Sequence, residues 1–452
     1  MSAIEWIGFD MDYTLAIYRQ EAMDALSIEL TIAGLVEHRG YPRRLLTLTP
    51  ETEYPIRGLL IDRRLGHVLK MDRFGAIHKG YHGFSRLGRS ELRELYWDRK
   101  VRTTEPRFHW IDTLFSLSEV TTYATVLDAL EADGQTVNYE QLFQDIRHAI
   151  DGAHADGTVH RRVLQDLPKY IDRDPELPAT LHKLRSAGKK LFLVTNSPWE
   201  YTDAMMKYLL DRALPQYRNW TMYFNVVNVF ARKPLWFQGQ QPYYLRQDGE
   251  RVSEVNALER GKVYEGGNRE DFERLTGAAG SRTIYIGDHI YGDILRSKKD
   301  SAWRTAMIIQ ELDQEFAALR LSSEQVSEKL ELEARKLHLD DEVRYYQRRL
   351  KELQSNGAGD SDAEAIRVKA ALDETRRGVR EFDARFDELE ERIDALHHKY
   401  WGSLLKEGGE LSSFGAQVER YADLYMRRVS CLRHYSPEQF FRSPHDFMPH
   451  EL

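Results

Sequence analysis

"IGFDMDYTLAIY", Ile7 to Tyr18, sets two carboxylates one residue apart, Asp10 and Asp12, directly behind a short apolar run. Like charges that close repel unless a cation sits between them. Carboxylate oxygens are hard ligands and favour Mg²⁺, which usually keeps several waters and shares the oxygens of a bound phosphate. The bland alternative is a strand-end turn with two solvated acids, because a pattern as short as D-x-D-x-T also recurs by chance.

Two further runs have the same form: "KKLFLVTNS" (Lys189–Ser197) and "RTIYIGD" (Arg282–Asp288). Short apolar strands that end in polar residues and lead into helices suit a buried parallel sheet. Ligands of such sheets sit at the carboxyl ends of the strands. There Thr195 offers a hydroxyl and nearby N–H groups to phosphate oxygens. Lys233, in "FARKPLWF", can neutralise charge on a phosphate or on a nucleophile. Asp288 can complete the carboxylate set of a metal, and Asp293, five positions on, can fix Lys233 or a metal-bound water. Taken singly, these are also an ordinary helix cap, a loop lysine and helix-start acids favoured by the dipole.

The chain has 452 residues, 42% of them hydrophobic, with 64 Lys plus Arg against 72 Asp plus Glu and a formal charge of −8. That balance argues against a nucleic-acid binder held by bulk charge. It leaves room for a small phosphorylated ligand, which responds to local potential. A single cysteine, Cys431, allows no intrachain disulfide and fits a reducing compartment. No basic leader and no run of 18 apolar residues is present. The expectation is a soluble, cytoplasmic protein that binds neither nucleic acid nor membrane.

Three textures divide the chain. Residues 1 to about 310 alternate strand-like and helical runs. Residues 311–400 are charged and nearly free of Gly and Pro, apart from "SNGAGDS" (Ser355–Ser361). Val379, Phe382, Phe386, Leu389, Ile393, Leu396 and Tyr400 step by three and four, as do Val343, Tyr346, Leu350 and Leu353: a heptad seam. The Gly-containing break lets two helices fold back as an antiparallel, coiled-coil-like arm. Residues 401–452 return to mixed composition and are expected to pack on the core. The long insertion between Thr14 and Thr195 suffices for a cap, so the expected division is 1–30 and 185–310 for the core and 31–184 mainly for the cap. Within it, "YEQLFQDIRHAIDGAHADG" reads as one helix with Leu142, Ile146, Ala149, Ile150 and Ala153 on its apolar face. Arg147, Asp151 and His154 fall on the other side, where a solvated Arg–Asp pair is worth a few tenths of a kcal/mol.

The order Asp-x-Asp-x-Thr, Thr, Lys, Gly-Asp-x-x-x-x-Asp resembles the haloacid dehalogenase superfamily of phosphohydrolases. "GFDMDYTLAIY", "TNSPWEYTDAMMKYL", "ARKPLWF", "YIGDHIYGDILRSKK", "WRTAMIIQEL", "DTLFSL", "FQDIRHAIDGAH", "QVERYADLY" and "MPHE" resemble more closely the cytosolic purine 5′-nucleotidase family, the type that hydrolyses IMP and GMP. The likeness spans nearly the whole chain and is least in the helical arm. It implies an α/β fold with a haloacid dehalogenase-like Rossmannoid core, a parallel sheet and an inserted cap domain.

The resemblance also implies roles. Asp10 is the nucleophile, Asp12 the general acid and base, and Thr195 and Lys233 stabilise the transferring phosphoryl group. Mg²⁺ is held by Asp10, the backbone carbonyl of Asp12 and Asp288, with Asp293 behind them. Phe115, Arg147, Asp151, His154, Asn196 and Ser197 bind the substrate, a purine nucleoside monophosphate. A guanidinium suits the O6 and N7 acceptors of a 6-oxopurine. Arg102, Asp112, Tyr291, Lys299, Gln417 and Tyr421 match an effector site for nucleotides. Asp112 stands for a family asparagine, and its charge disfavours a polyphosphate, so nucleotide activation is expected to be weak. His160, followed by Arg161 and Arg162, stands where animal members carry a lysine. A homo-oligomer, dimer or tetramer, is expected. Two rivals stay open: a phosphatase on another metabolite, and an interaction protein with a vestigial site that works through its arm.

Overall fold

Strand Trp6–Phe9 lies at the middle of a nine-stranded sheet among the described residues. All four of its residues are buried, as expected of a strand covered on both faces. Gly8 is needed there: a Cβ would come within 2.2 Å of the Phe192 ring. The computed structural model describes residues 1–97, 101–247, 249–278, 280–355 and 362–442.

Strand Lys190–Val194 flanks Trp6–Phe9 on one side and Thr283–Gly287 on the other, both in parallel. Beyond them, Val226–Val229 and Val263–Gly266 continue the first side, and Arg304–Ile308 and Leu424–Met426 the second, again in parallel. An antiparallel hairpin, Tyr243–Gln247 with Glu250–Glu254, closes the first edge. The chain order therefore reverses at Trp6–Phe9, which creates the crevice where parallel sheets take their ligands. Trp6, Phe192, Trp236, Phe237, Tyr264, Phe272, Tyr285 and Trp303 pack a continuous aromatic core on the sheet.

The insertion leaves and re-enters through a short antiparallel pair, Ile17–Tyr18 with Ile171–Asp172. It contains a five-stranded antiparallel sheet, ordered Ser85–Arg86, Ile77–His82, His67–Met71, Leu59–Asp62, Phe108–Ile111. Helices Gln20–Arg39, Leu117–Ala132 and Tyr139–Ala155 pack together within it. The last keeps Leu142, Ile146 and Ile150 buried, and its N-cap Asn138 accepts from Gln141 N at 3.1 Å, as such caps do.

By its contacts, the chain divides into Met1–Leu312 with Leu405–Leu452, and Asp313–Leu404. In the second unit, helix Ser323–Ser355 packs on helix Ala363–His397. Ion pairs Lys329–Glu390, Lys336–Asp383 and Arg349–Glu364 run in inverse order, so the two helices are antiparallel. Leu372 and Leu389 are buried. The apolar seam ends early: Leu396 is 37% exposed, and Tyr400 lies past the helix, whose C-cap His398 is extended. The glycine-containing residues 356–361 and the terminal "MPHE" fall outside the described residues. No helix among the described residues is long and apolar enough to cross a membrane.

Candidate active site

Four loops converge at the carboxyl edge of the parallel strands. Asp10 follows Trp6–Phe9, Thr195 follows Lys190–Val194, Lys233 lies just beyond Val226–Val229, and Asp288 follows Thr283–Gly287. Carboxylate oxygens of Asp10, Asp288 and Asp293 all lie within 4.8 Å of one another. Lys233 Nζ sits 2.8 Å from Asp10 Oδ1 and 2.7 Å from Asp293 Oδ1. It also donates to Tyr285 OH at 3.0 Å, which in turn donates to the Val194 carbonyl at 3.0 Å.

The electrostatics follow from burial. Desolvation pushes the Asp10 carboxyl well above the usual carboxylate range; Lys233 pulls it back, and Asp293, Asp288 and Asp12 push it up again. Asp288 is raised to about 7, by burial first and by Asp293 next. For Lys233, burial alone would favour the neutral amine, but Asp10 and Asp293 hold it cationic, well above the usual lysine value. Three carboxylates share one ammonium here, and a divalent cation would relieve the repulsion among them.

The donor set fits Mg²⁺. Asp288 Oδ2 is buried without a hydrogen-bond partner, an expensive state for a carboxylate oxygen unless a cation takes it up. All the candidate side-chain ligands are oxygens, as a hard cation requires.

Both oxygens of Asp12 are engaged by hydroxyl groups. Its Oδ1 accepts from Tyr18 OH at 2.5 Å and its Oδ2 from Ser197 Oγ at 2.6 Å. Tyr18 OH lies 2.8 Å from Tyr201 OH, and the His160 ring stacks on Tyr201 at 4.2 Å between centroids. Thr195 is fully buried, and its Oγ1 accepts from Ser197 N at 3.1 Å. The Asn196 side chain is engaged with the backbone of Lys233, donating to its carbonyl at 2.9 Å. Tyr13, Phe230 and Arg232 hold left-handed backbone (φ 54°, 50° and 60°) beside these residues. Strain of that kind persists only where the surroundings over-determine it.

Among the expected base contacts, Phe115 is 39% exposed and meets Tyr13 edge-on at 4.6 Å. His154 meets Phe115 at 6.4 Å. Burial lowers the pKa of both His154 and His160. Arg147 pairs with buried Glu119 and, at 3.2 Å, with Asp151. Glu119 also lies 3.3 Å from His109. Of the expected effector residues, Asp112 lies 3.4 Å from His289, and Lys299 lies 5.9 Å from the Tyr421 ring. Tyr291 carries the Arg296 guanidinium over its ring, and Gln417 is on helix Ser413–Tyr421. Arg102 lines a cavity of about 390 Å³ with Arg64, Tyr96 and Arg107.

Sequence reasoning missed Tyr18, Tyr201, Arg57 and Glu119. Tyr18 closes the opening motif, but its partner Tyr201 is 183 positions away. No local pattern joins them.

A parallel α/β fold with an acid–lysine centre at its switch point defines a class of protein built to handle a phosphate ester. The chain belongs to the 5′ nucleotidase family, whose model matches residues 1–452, and so to the enzymes that act on nucleoside 5′-monophosphates. It is 30% identical over 468 residues to the rat 5′-nucleotidase domain-containing protein 2, covering 100% of this chain and 78% of that one. The human protein of the same name is 30% identical over 465 residues, covering 99% and 82%. A 5′-nucleotidase domain-containing protein of Dictyostelium discoideum is 29% identical over 460 residues, covering 100% and 73%. Among solved structures, CbbY from Rhodobacter sphaeroides in complex with phosphate aligns with 68% of this chain and 86% of its own at 14% identity. Its TM-score of 0.23 is too low to bear on the fold.

Proposed function

We propose that the chain is a Mg²⁺-dependent purine 5′-nucleotidase that hydrolyses IMP or GMP to nucleoside and phosphate. The observation that carries this reading is the Lys233 ammonium between Asp10 and Asp293, beside the unpartnered oxygen of Asp288. An Asp10 oxygen attacks phosphorus in line, forming the aspartyl-phosphate bond as the bond to O5′ breaks. Asp12 gives its proton to the leaving O5′, then takes a proton from the water that cleaves the aspartyl-phosphate. Tyr18 and Ser197 are both hydroxyls, which donate to a carboxylate and can accept from an acid. They hold Asp12 in place in both protonation states. Lys233 and Thr195 stabilise the equatorial oxygens of the transferring group. Mg²⁺, held by Asp10, the Asp12 carbonyl and Asp288, would neutralise phosphate charge and align the reacting oxygens. Another nucleoside can replace water as acceptor, which gives phosphotransferase activity.

Activity on a panel of IMP, GMP, AMP, pyrimidine monophosphates and sugar phosphates tests the substrate class. The expected result is a kcat/KM highest for the 6-oxopurines; a sugar phosphate preferred over both sinks the assignment.

Two variants probe particular residues. Tyr18→Phe removes one donor to Asp12 and should lower kcat with KM little changed. Losing a partner of a buried polar group costs about 1–3 kcal/mol, on the order of tenfold or more in rate. An unchanged kcat would separate Tyr18 from Asp12's task. Phe115→Ala should raise KM for IMP by about tenfold, because base–aromatic stacking is worth about 1–3 kcal/mol. Ribose 5-phosphate, which has no base, should be turned over as before; an equal loss on both would mean that Phe115 supports the fold and not the purine.

A further inference from the structure

Arg57 lies in the insertion, two residues before the strand Leu59–Asp62. Its side chain is fully buried, at 0% exposure. A buried guanidinium demands an anion and satisfied donors. Glu311 meets that demand bidentately, with Nε–Oε1 at 2.8 Å and Nη2–Oε2 at 2.6 Å. This fork-on-fork geometry fixes the guanidinium plane.

The ion pair leaves Nη1, and Nη1 donates to the backbone carbonyl of Asp288 at 2.9 Å. Asp288 is the residue whose Oδ2 is buried without a partner. The guanidinium also lies over the Phe414 ring at 4.8 Å. The neighbouring Gly58 permits that approach: its φ is +88°, and a Cβ there would stand 2.7 Å from Phe414 Cβ. Arg57 is thus held by Glu311 and by the Phe414 ring while one donor reaches 231 positions along the chain to the loop after the strand Thr283–Gly287.

We infer that Arg57 is a positioning residue for Asp288: it pins the backbone of that residue through Nη1, so that the carboxylate stays placed to serve, with Asp10 and the Asp12 carbonyl, as a ligand of the metal proposed above. The inference rests on the metal reading proposed above. Glu311 alone would satisfy the charge of Arg57, so the bond to the carbonyl is a separate contribution. A lysine would restore the charge without the rigid fork.

Mg²⁺ binding to the full-length chain, measured by titration calorimetry, tests the inference without relying on turnover. Arg57→Met with Glu311→Met removes both charges together and avoids leaving the Glu311 carboxylate without its partner. Arg57→Lys keeps the charge. Each is expected to bind Mg²⁺ about 10–100-fold more weakly, the usual effect of losing a partner that orients a ligand. Each should also need correspondingly more Mg²⁺ for half-maximal activity, with kcat recovering at saturation, which a damaged fold would not allow. Either variant binding Mg²⁺ within twofold of the native chain overturns the inference, so one folded variant suffices. Asp288→Asn separates the two readings. If the native chain binds no Mg²⁺, or Asp288→Asn binds it equally well, the metal reading falls and the inference with it. If both behave as expected and the Arg57 variants are unaffected, only the inference falls.

Discussion

Asp10→Asn lowers turnover of IMP by at least about 10³-fold, while the circular dichroism spectrum and thermal midpoint stay close to those of the native chain. The rate falls because the neutral amide is a poor nucleophile, so the ester to phosphorus does not form. The fold survives because the Asp10 side chain sits at the rim of the sheet, with Met11 N at 2.7 Å and Lys233 at 2.8 Å as its polar contacts. The amide oxygen can accept from both. The substitution removes the attraction to Lys233 together with the repulsion from Asp293, Asp288 and Asp12, so the two changes offset each other, and Asp293 remains as a partner of Lys233. Rapid acid quenching gives a second check: the native chain should carry phosphoryl label and the variant none. A clean preparation that turns over within tenfold of the native rate would remove Asp10 from the role of nucleophile.

Chelation is expected to abolish activity, and the affinity for Mg²⁺ to fall as the pH drops through about 7. The raised pKa of Asp288, about 7, means that the metal must displace a proton below that pH. The sign for stability runs the same way. A carboxyl at about 7 in the folded chain and 3.8 when unfolded binds more protons folded than unfolded in that window. The stability it contributes is thus fully present below 3.8 and lost as pH rises through about 7. Without metal, the chain should melt higher near pH 5.5 than near pH 8. With Mg²⁺, the difference should shrink or reverse, since binding to the folded state stabilises it by mass action. A metal-free melting temperature that rises steadily from pH 5.5 to pH 8 would mean that Asp288 is already ionised at the lower pH.

Much of the centre was legible because its pieces are local. Asp10 and Asp288 sit just behind short apolar strands, with Asp293 five positions further on, and a strand's end can be read from a few adjacent residues. The helices at 323–355 and 363–397 were legible for the same reason: period and charge repeat within each turn. The end of their seam was not, because Leu396 and Tyr400 continue the period while the backbone at His398 has already left the helix. The edge strand Leu424–Met426, three residues among arginines, has no pattern of its own. It exists because Arg304–Ile308 offers it a ladder.

The order of the residues in the chain determined which chemical groups stand at the strand ends, and with them the hard oxygen and ammonium character of the centre. Only the folded molecule decided what holds those groups. Asp12 gripped by Tyr18 and Ser197, Tyr201 behind them, and Arg57 under Asp288 are contacts between residues far apart in sequence. Such contacts depend on how distant segments pack, and packing leaves no periodic trace in the residues that take part.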